Sequence, residues 1–214
     1  MVAHDDYASD KAPTRILAIY VSRGRMDHSG IVVRSSDDSL SLVDLMFRGL
    51  GSRPLQRGDG WVEICGDVDD FELDSVRSTL AAILRQKALG RSPSYGLTFD
   101  GQQFDVDGKV VNGPSGSGLT CVTFVMAVFA SCGVELLARN EWPARSDDDH
   151  NVRMLLNGMR WEKVSDETIR EMEQQQPTGV RFRPRELAGG ANTRCPCPFE
   201  DARDAALSLE RQLG

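Results

Sequence analysis

The chain has no run of the ~20 consecutive apolar residues that a helix needs to cross a bilayer. Met1 to Lys11 carries Asp5, Asp6 and Asp10 in place of a basic stretch followed by an apolar one. Neither a membrane-spanning segment nor a classical export signal is expected, and the sequence reads as cytoplasmic, or as exported without a classical signal. Positive charge is also short: Lys and Arg number 25 against 32 Asp and Glu, a net charge of −7. That balance argues against a nucleic-acid partner, because binding to a phosphate backbone draws on net or clustered positive charge. Gly113 to Gly118 is glycine-rich, but no Lys-Ser/Thr follows it, so no nucleotide is implied. Histidine is scarce, with three residues (His4, His28, His150), which makes the search for a catalytic base short. Cysteine is present at five positions, an odd number without secretory context. The count points away from a disulfide framework and towards one thiol with a chemical role.

What is present fits a soluble globular domain. At 214 residues, 40% hydrophobic and 27% charged, one core is feasible without disulfide or metal staples. Residues 15–22 form a strand-length apolar run. Residues 28–34 and 39–45, separated by Ser35-Ser36-Asp37-Asp38, read as a β-hairpin that puts His28 and Asp44 on paired strands. Trp61 to Cys65 is a further strand, and Phe71, Leu73, Val76, Leu80, Ile83 and Leu84 recur at helical spacing up to Leu89-Gly90. Residues 91–117 are rich in Gly, Pro, Ser and Asp, with a small hairpin about Asp107-Gly108. A long connection of this kind inside a compact domain is a candidate lid, with Tyr95 and Phe99 as pocket-wall aromatics. Cys121 to Gly133 is apolar nearly all round and reads as a buried helix. A short strand at residues 134–137 follows, then helices at 147–159, at 165–175 with Ser165 as N-cap, and at 200–213. The stretch 184–198, with Pro, Gly and Cys, reads as a mobile connection to an accessory tail.

A thiol attacks a carbonyl as thiolate, and a helix N-terminus and a nearby imidazole both favour that form. Cys121 opens its helix after Gly116-Ser117-Gly118-Leu119-Thr120, where glycine lets backbone approach a substrate and first-turn N–H groups can face an oxyanion. Cys132, at the far end, reads as a small buried hydrophobe, and Cys65 as core or sheet surface. Cys195-Pro196-Cys197 is too tightly spaced for a zinc site and has no neighbouring ligands. His4 lies in a polar terminus and His150 at an acidic helix start, whereas His28 opens an apolar strand where its ring can face a cleft.

Asp27-His28-Ser29-Gly30-Ile31-Val32-Val33 resembles the His-x-Gly-Ile-Val strand of the permuted NlpC-type, papain-like cysteine peptidases and amidases. Gly118-Leu119-Thr120-Cys121-Val122-Thr123-Phe124-Val125 resembles their nucleophile helix, which in the permuted order follows the His strand. The resemblance spans roughly residues 16–137. It implies an α+β fold in which a small antiparallel sheet or half-barrel packs on the nucleophile-bearing helix. It also implies that Cys121 attacks a carbonyl, that His28 carries the proton and that Asp44 on the next strand orients the ring, with Glu63 in reserve. Tyr95, Gly118 and Thr120 are the expected substrate contacts; should the 91–117 segment be a connection only, specificity is sought after Leu137, at residues such as Trp142 and Arg145. The implied substrate is a peptide, isopeptide or other amide. An acyl substrate, as for the lecithin:retinol acyltransferase relatives of the same permuted fold, is the alternative, and a non-catalytic binding module is the rival from another class. Neither metal nor other cofactor is implied. The expected organisation is a flexible N-terminus (1–14), a catalytic domain (15–183) and a C-terminal accessory segment (184–214).

Overall fold

A computed structural model describes residues 13, 15–22, 28–56, 59–97, 99–113, 118–174 and 180–213. The expected flexible N-terminus lies almost wholly outside the described residues. The fold is α+β. Strands β1 (Leu17–Val21), β2 (Ser29–Arg34), β3 (Leu40–Met46), β4 (Gly49–Pro54) and β5 (Gly60–Glu63) form an antiparallel sheet in the order β4-β3-β2-β1-β5. The period-2 alternation of the strands divides their side chains between two faces. Leu17, Ile19, Val21, Ile31, Val43, Leu45 and Val62 enter the main core. Ala18, Tyr20, Val32, Leu42 and Trp61 form a smaller cluster of their own. At the β2–β3 turn Ser35 N donates to Ser39 O (2.9 Å) and Asp37 Oδ1 accepts from Ser39 N (3.1 Å), while Asp38 takes a φ of 62°. The polar Ser-Ser-Asp-Asp run therefore supplies its own turn chemistry.

Helix α1 (Asp70–Ala88) begins with a reciprocal capping box between Asp69 and Glu72, both bonds 2.8 Å, and buries Leu73, Val76, Leu80 and Ile83. A two-strand ribbon, β6 (Gln103–Phe104) and β7 (Val110–Val111), follows. Helix α2 (Cys121–Ala130) buries every residue from Cys121 to Phe129, and it packs against β2 and β3. Helices α3 (Asp148–Trp161) and α4 (Asp166–Gln174) enclose a second cluster of Leu97, Val152, Leu156, Met159, Ile169 and Met172. Ser165 Oγ accepts from Thr168 N (3.2 Å), the cap expected of it. No helix among the described residues is long and apolar enough to cross a membrane.

Three expectations are overturned. The 184–198 stretch is not a loose connection: Pro184–Thr193 is a helix, α5, with proline in its first turn, where a missing N–H costs nothing. Its glycines serve packing, since a Cβ on Gly189 would come within 2.8 Å of Ala205 Cβ on α6 (Phe199–Leu213). Nor does this C-terminal pair stand apart as a tail. Leu187, Ala188, Ala191, Cys197, Ala202 and Leu209 belong to the main core. Residues 134–137 make no strand but a single bridge, Leu137 with Cys197. Strand β4 had no sequence forecast, because Gly-Leu-Gly-Ser-Arg-Pro lacks β-branched residues. As an edge strand it tolerates both glycine and a terminal proline.

Candidate active site

His28 is the residue immediately before β2, and its main chain is clamped to the end of β1. His28 N donates to Ser22 Oγ (2.8 Å) and Ser22 N donates to His28 O (3.0 Å). From there the ring reaches Asp44 on β3, with His28 Nε2 2.9 Å from Asp44 Oδ2. The hairpin register explains the meeting, because Ile31 pairs with Val43, so Asp44 lies one step nearer the His28 end of β2. Room for the carboxylate is made by glycine on both neighbouring strands. A Cβ at Gly30 would lie 3.0 Å from Asp44 Cβ, and one at Gly51 on β4 would overlap Asp44 Oδ1. The imidazole side chain keeps 22% of its surface exposed and the carboxylate 8%, so the ring is reachable while its orienting partner is covered. Tyr20 packs edge-on against the ring, with centroids 6.1 Å apart.

Cys121 is the first residue of α2, buried to 8% exposure. Its thiol is among the groups that raise the proton affinity of the His28 ring. Burial by itself would lower the His28 pKa. Hydrogen bonds to Asp44 and to Cys121, with the charges of both, outweigh that penalty and push it up from 6.5 to about 9. Thr120 caps the helix, with its Oγ1 accepting from Thr123 N (3.2 Å) while Thr120 N donates to Thr123 Oγ1 (2.8 Å). The cap occupies Thr123 N–H and leaves the Cys121 and Val122 amides as first-turn donors without an intrahelical acceptor, at the positive end of the dipole.

The segment before the helix is held by main chain. Leu119 N donates to Ser94 O (2.9 Å) and Gly96 N to Leu119 O (3.2 Å), and a Cβ at Gly118 would come within 2.5 Å of Gly96 N. Gly118 is therefore required by this close approach, and Thr120 has its hydroxyl committed to the cap. These are structural tasks for two residues expected to touch substrate. Tyr95, the third, is half-buried, stacks edge-on against Phe47 (4.9 Å) and joins both the main and the second cluster. Burial first, and then the Cys121 charge, drive its phenol pKa well above 10 while Arg181 opposes the shift. Phe99 packs edge-on against Phe182 and under Arg139.

Trp142 and Arg145 are not specificity residues at an opening. Trp142 is buried against Phe182 and Phe199. Arg145 is enclosed by Glu186 and Asp148, and it also donates to the Arg181 main-chain carbonyl. Cys132 is half-buried rather than buried, with its sulfur 3.3 Å from Thr79 Oγ1, and burial pushes its thiol pKa up. Glu63 sits on β5, across β1 from the hairpin, and Asp44 is the carboxylate that meets His28. His150 is exposed at the start of α3, and His4 lies outside the described residues.

Sequence reasoning missed Ser22, Gly51 and Arg181. Ser22 is the residue after β1 and Gly51 lies in a glycine-rich edge strand, so neither carries a local signal. Arg181, 60 positions beyond Cys121 (181 − 121), donates from Nη1 to Leu97 O (2.8 Å), and burial lowers its pKa while the charges of Tyr95 and Asp148 raise it. A half-open cavity lined by Gln86, Arg91, Ser92, Lys109, Gly118 and Leu119, among others, includes neither Cys121 nor His28. Compared with known proteins, the chain matches no family model, no curated protein and no solved structure.

Proposed function

We propose that this chain is a cysteine hydrolase of the permuted papain-like type, cleaving an amide, isopeptide or peptide bond through an acyl-enzyme on Cys121. The observation that carries the reading is one imidazole held at 2.9 Å by a buried carboxylate, with the thiol at the N-terminus of α2 among the groups that raise its proton affinity. The order of His28, Asp44 and Cys121 along the chain, and the antiparallel sheet on which α2 packs, also support it.

In the proposed reaction the Cys121 proton resides on His28, whose imidazolium is stabilised by Asp44. The sulfur attacks the carbonyl carbon, and the oxyanion that forms faces the Cys121 and Val122 amides. His28 gives its proton to the leaving amine as the C–N bond breaks. Water then loses a proton to His28 and attacks the thioester, releasing the acid and restoring the thiol. With a nucleophile other than water in the second half, the same steps make an acyltransferase.

Site-resolved alkylation tests the reading. At pH 6, iodoacetamide should modify Cys121 at least about tenfold faster than Cys132, and the advantage should vanish in His28→Ala. Hydrolysis of a panel of peptides, isopeptides and thioesters, with Cys121→Ala as the blank, then identifies the substrate class. Equal alkylation of Cys121 in wild type and His28→Ala would refute the catalytic pair.

A further inference from the structure

The cysteines outside the candidate site are not scattered. Cys65, just after β5, and Cys195, in the turn between α5 and α6, bring their sulfurs to 3.2 Å, although they are 130 positions apart (195 − 65). Both residues are placed by main-chain and polar contacts independent of the thiols. Cys65 N donates to Ala191 O (2.7 Å), Asn192 Nδ2 to Glu63 O (2.8 Å), and Cys195 N to Asp67 Oδ2 (3.3 Å). The neighbouring Cys197 is wholly buried and is held by its main chain. Its N donates to Leu136 O (3.1 Å), its O accepts from Ala138 N (2.8 Å), and its Cβ abuts the position a Gly190 Cβ would take.

We propose that Cys65 and Cys195 are a disulfide site that staples the α5–α6 pair to the sheet. The sulfurs need to approach by only about 1.2 Å to reach the bonded distance of about 2.05 Å, and the three flanking hydrogen bonds hold both segments while side-chain rotation closes that gap. The co-reactant is a small-molecule disulfide such as oxidised glutathione. The half-exposed Cys195 loses its proton and attacks one glutathione sulfur, breaking the S–S bond and releasing one glutathione thiolate. Cys65 loses its proton and attacks the Cys195 sulfur of the mixed disulfide, expelling the second. Two protein thiols are oxidised, one glutathione disulfide is reduced to two thiols, and the two protons pass to the released thiolates. Burial first, and then the neighbouring Cys65 thiol, push the Cys195 pKa up, so the first step is slow at neutral pH.

The crosslink would close a loop of this length in the unfolded chain and restrict its freedom. The experiment uses the full chain, reduced, desalted and incubated overnight with oxidised glutathione, then digested with trypsin without reduction. The expected product is peptide 58–77 joined to peptide 195–203. It should be absent after reduction and absent in Cys195→Ser, but retained in Cys197→Ser. Thermal unfolding of the oxidised wild type should lie roughly 5–10 °C above that of the reduced protein, with no such shift in Cys65→Ser. Recovery of both peptides unlinked from folded wild type, or a link that survives in Cys195→Ser through Cys197, would overturn the proposal. Neither readout depends on catalysis or on Cys121.

Discussion

At the scale of single residues the question is how unequal partners share one proton. His28 is raised to about 9 against an ordinary 6.5, so its folded form binds the proton more tightly than its unfolded form. The stability it contributes is fully present below about pH 6.5 and is lost as pH rises through about 9. Urea midpoints of wild type and Asp44→Asn should therefore differ by a constant amount up to about pH 6.5 and converge towards pH 9. A gap that widened over that range would reverse the assignment of the imidazolium. Catalytic losses should follow the same hierarchy. We expect Cys121→Ala to abolish turnover and His28→Ala to lower kcat/KM by about 10²–10⁴, with a smaller loss for Asp44→Asn. Cys121 and His28 were legible because their residue types are rare and their neighbours distinctive. Asp44 was legible because a hairpin of known turn fixes its register. Arg181 and the Cys65–Cys195 pair were not, since each depends on an approach between segments far apart in the chain.

At the scale of elements, glycine carried two opposite messages that a sequence does not separate. Gly189-Gly190 lies in a stretch that read as a loose connection and Gly49-Leu50-Gly51 in one that carried no forecast, yet both belong to regular elements pressed against a neighbour. Gly51 is the more consequential. A methyl group there meets Asp44 Oδ1, so Gly51→Ala should cost about 1–3 kcal/mol in strain and should also shift the carboxylate off the ring. The distinguishing measurement is the His28 titration followed by NMR. Its pKa should fall from about 9 towards 6.5, whereas a purely structural effect would leave the titration in place. Thr120 allows a second separation. If its hydroxyl serves the cap, Thr120→Ser should be near neutral, and Thr120→Ala should lose about 1 kcal/mol in denaturant melts with substrate preference unaltered. A changed ratio of kcat/KM between two substrates would return Thr120 to the binding surface.

For the whole molecule, the part least foreseen is the attachment of the C-terminal helices, and Arg145 is its hub. The guanidinium lies against Glu186 of α5, within 3.6 Å of Asp148 at the start of α3, against the main-chain carbonyl of Arg181, and 5.6 Å over the Phe199 ring of α6. Composition cannot reveal such a hub, because an arginine among 25 cationic residues reads as surface. Its worth follows from burial: Glu186 is 5% exposed and loses its cation when Arg145 is removed, whereas Asp148, 8% exposed, keeps the Arg145 main-chain N–H (3.0 Å) and the Arg183 guanidinium (3.7 Å). Arg145→Leu should destabilise by about 3–5 kcal/mol, a fall in Tm of roughly 6–20 °C for a chain of this size. The pair need not be favourable in itself, since desolvating two charges offsets most of their attraction. The Arg145→Leu, Glu186→Leu double variant should therefore recover part of that loss, because it removes the stranded charge together with its partner. Calorimetry of the two single variants and the double variant checks this. If the losses simply added, the ion pair would not be coupled, and the C-terminal helices would be held by their apolar contacts and by the Ala191 and Asn192 hydrogen bonds to the sheet.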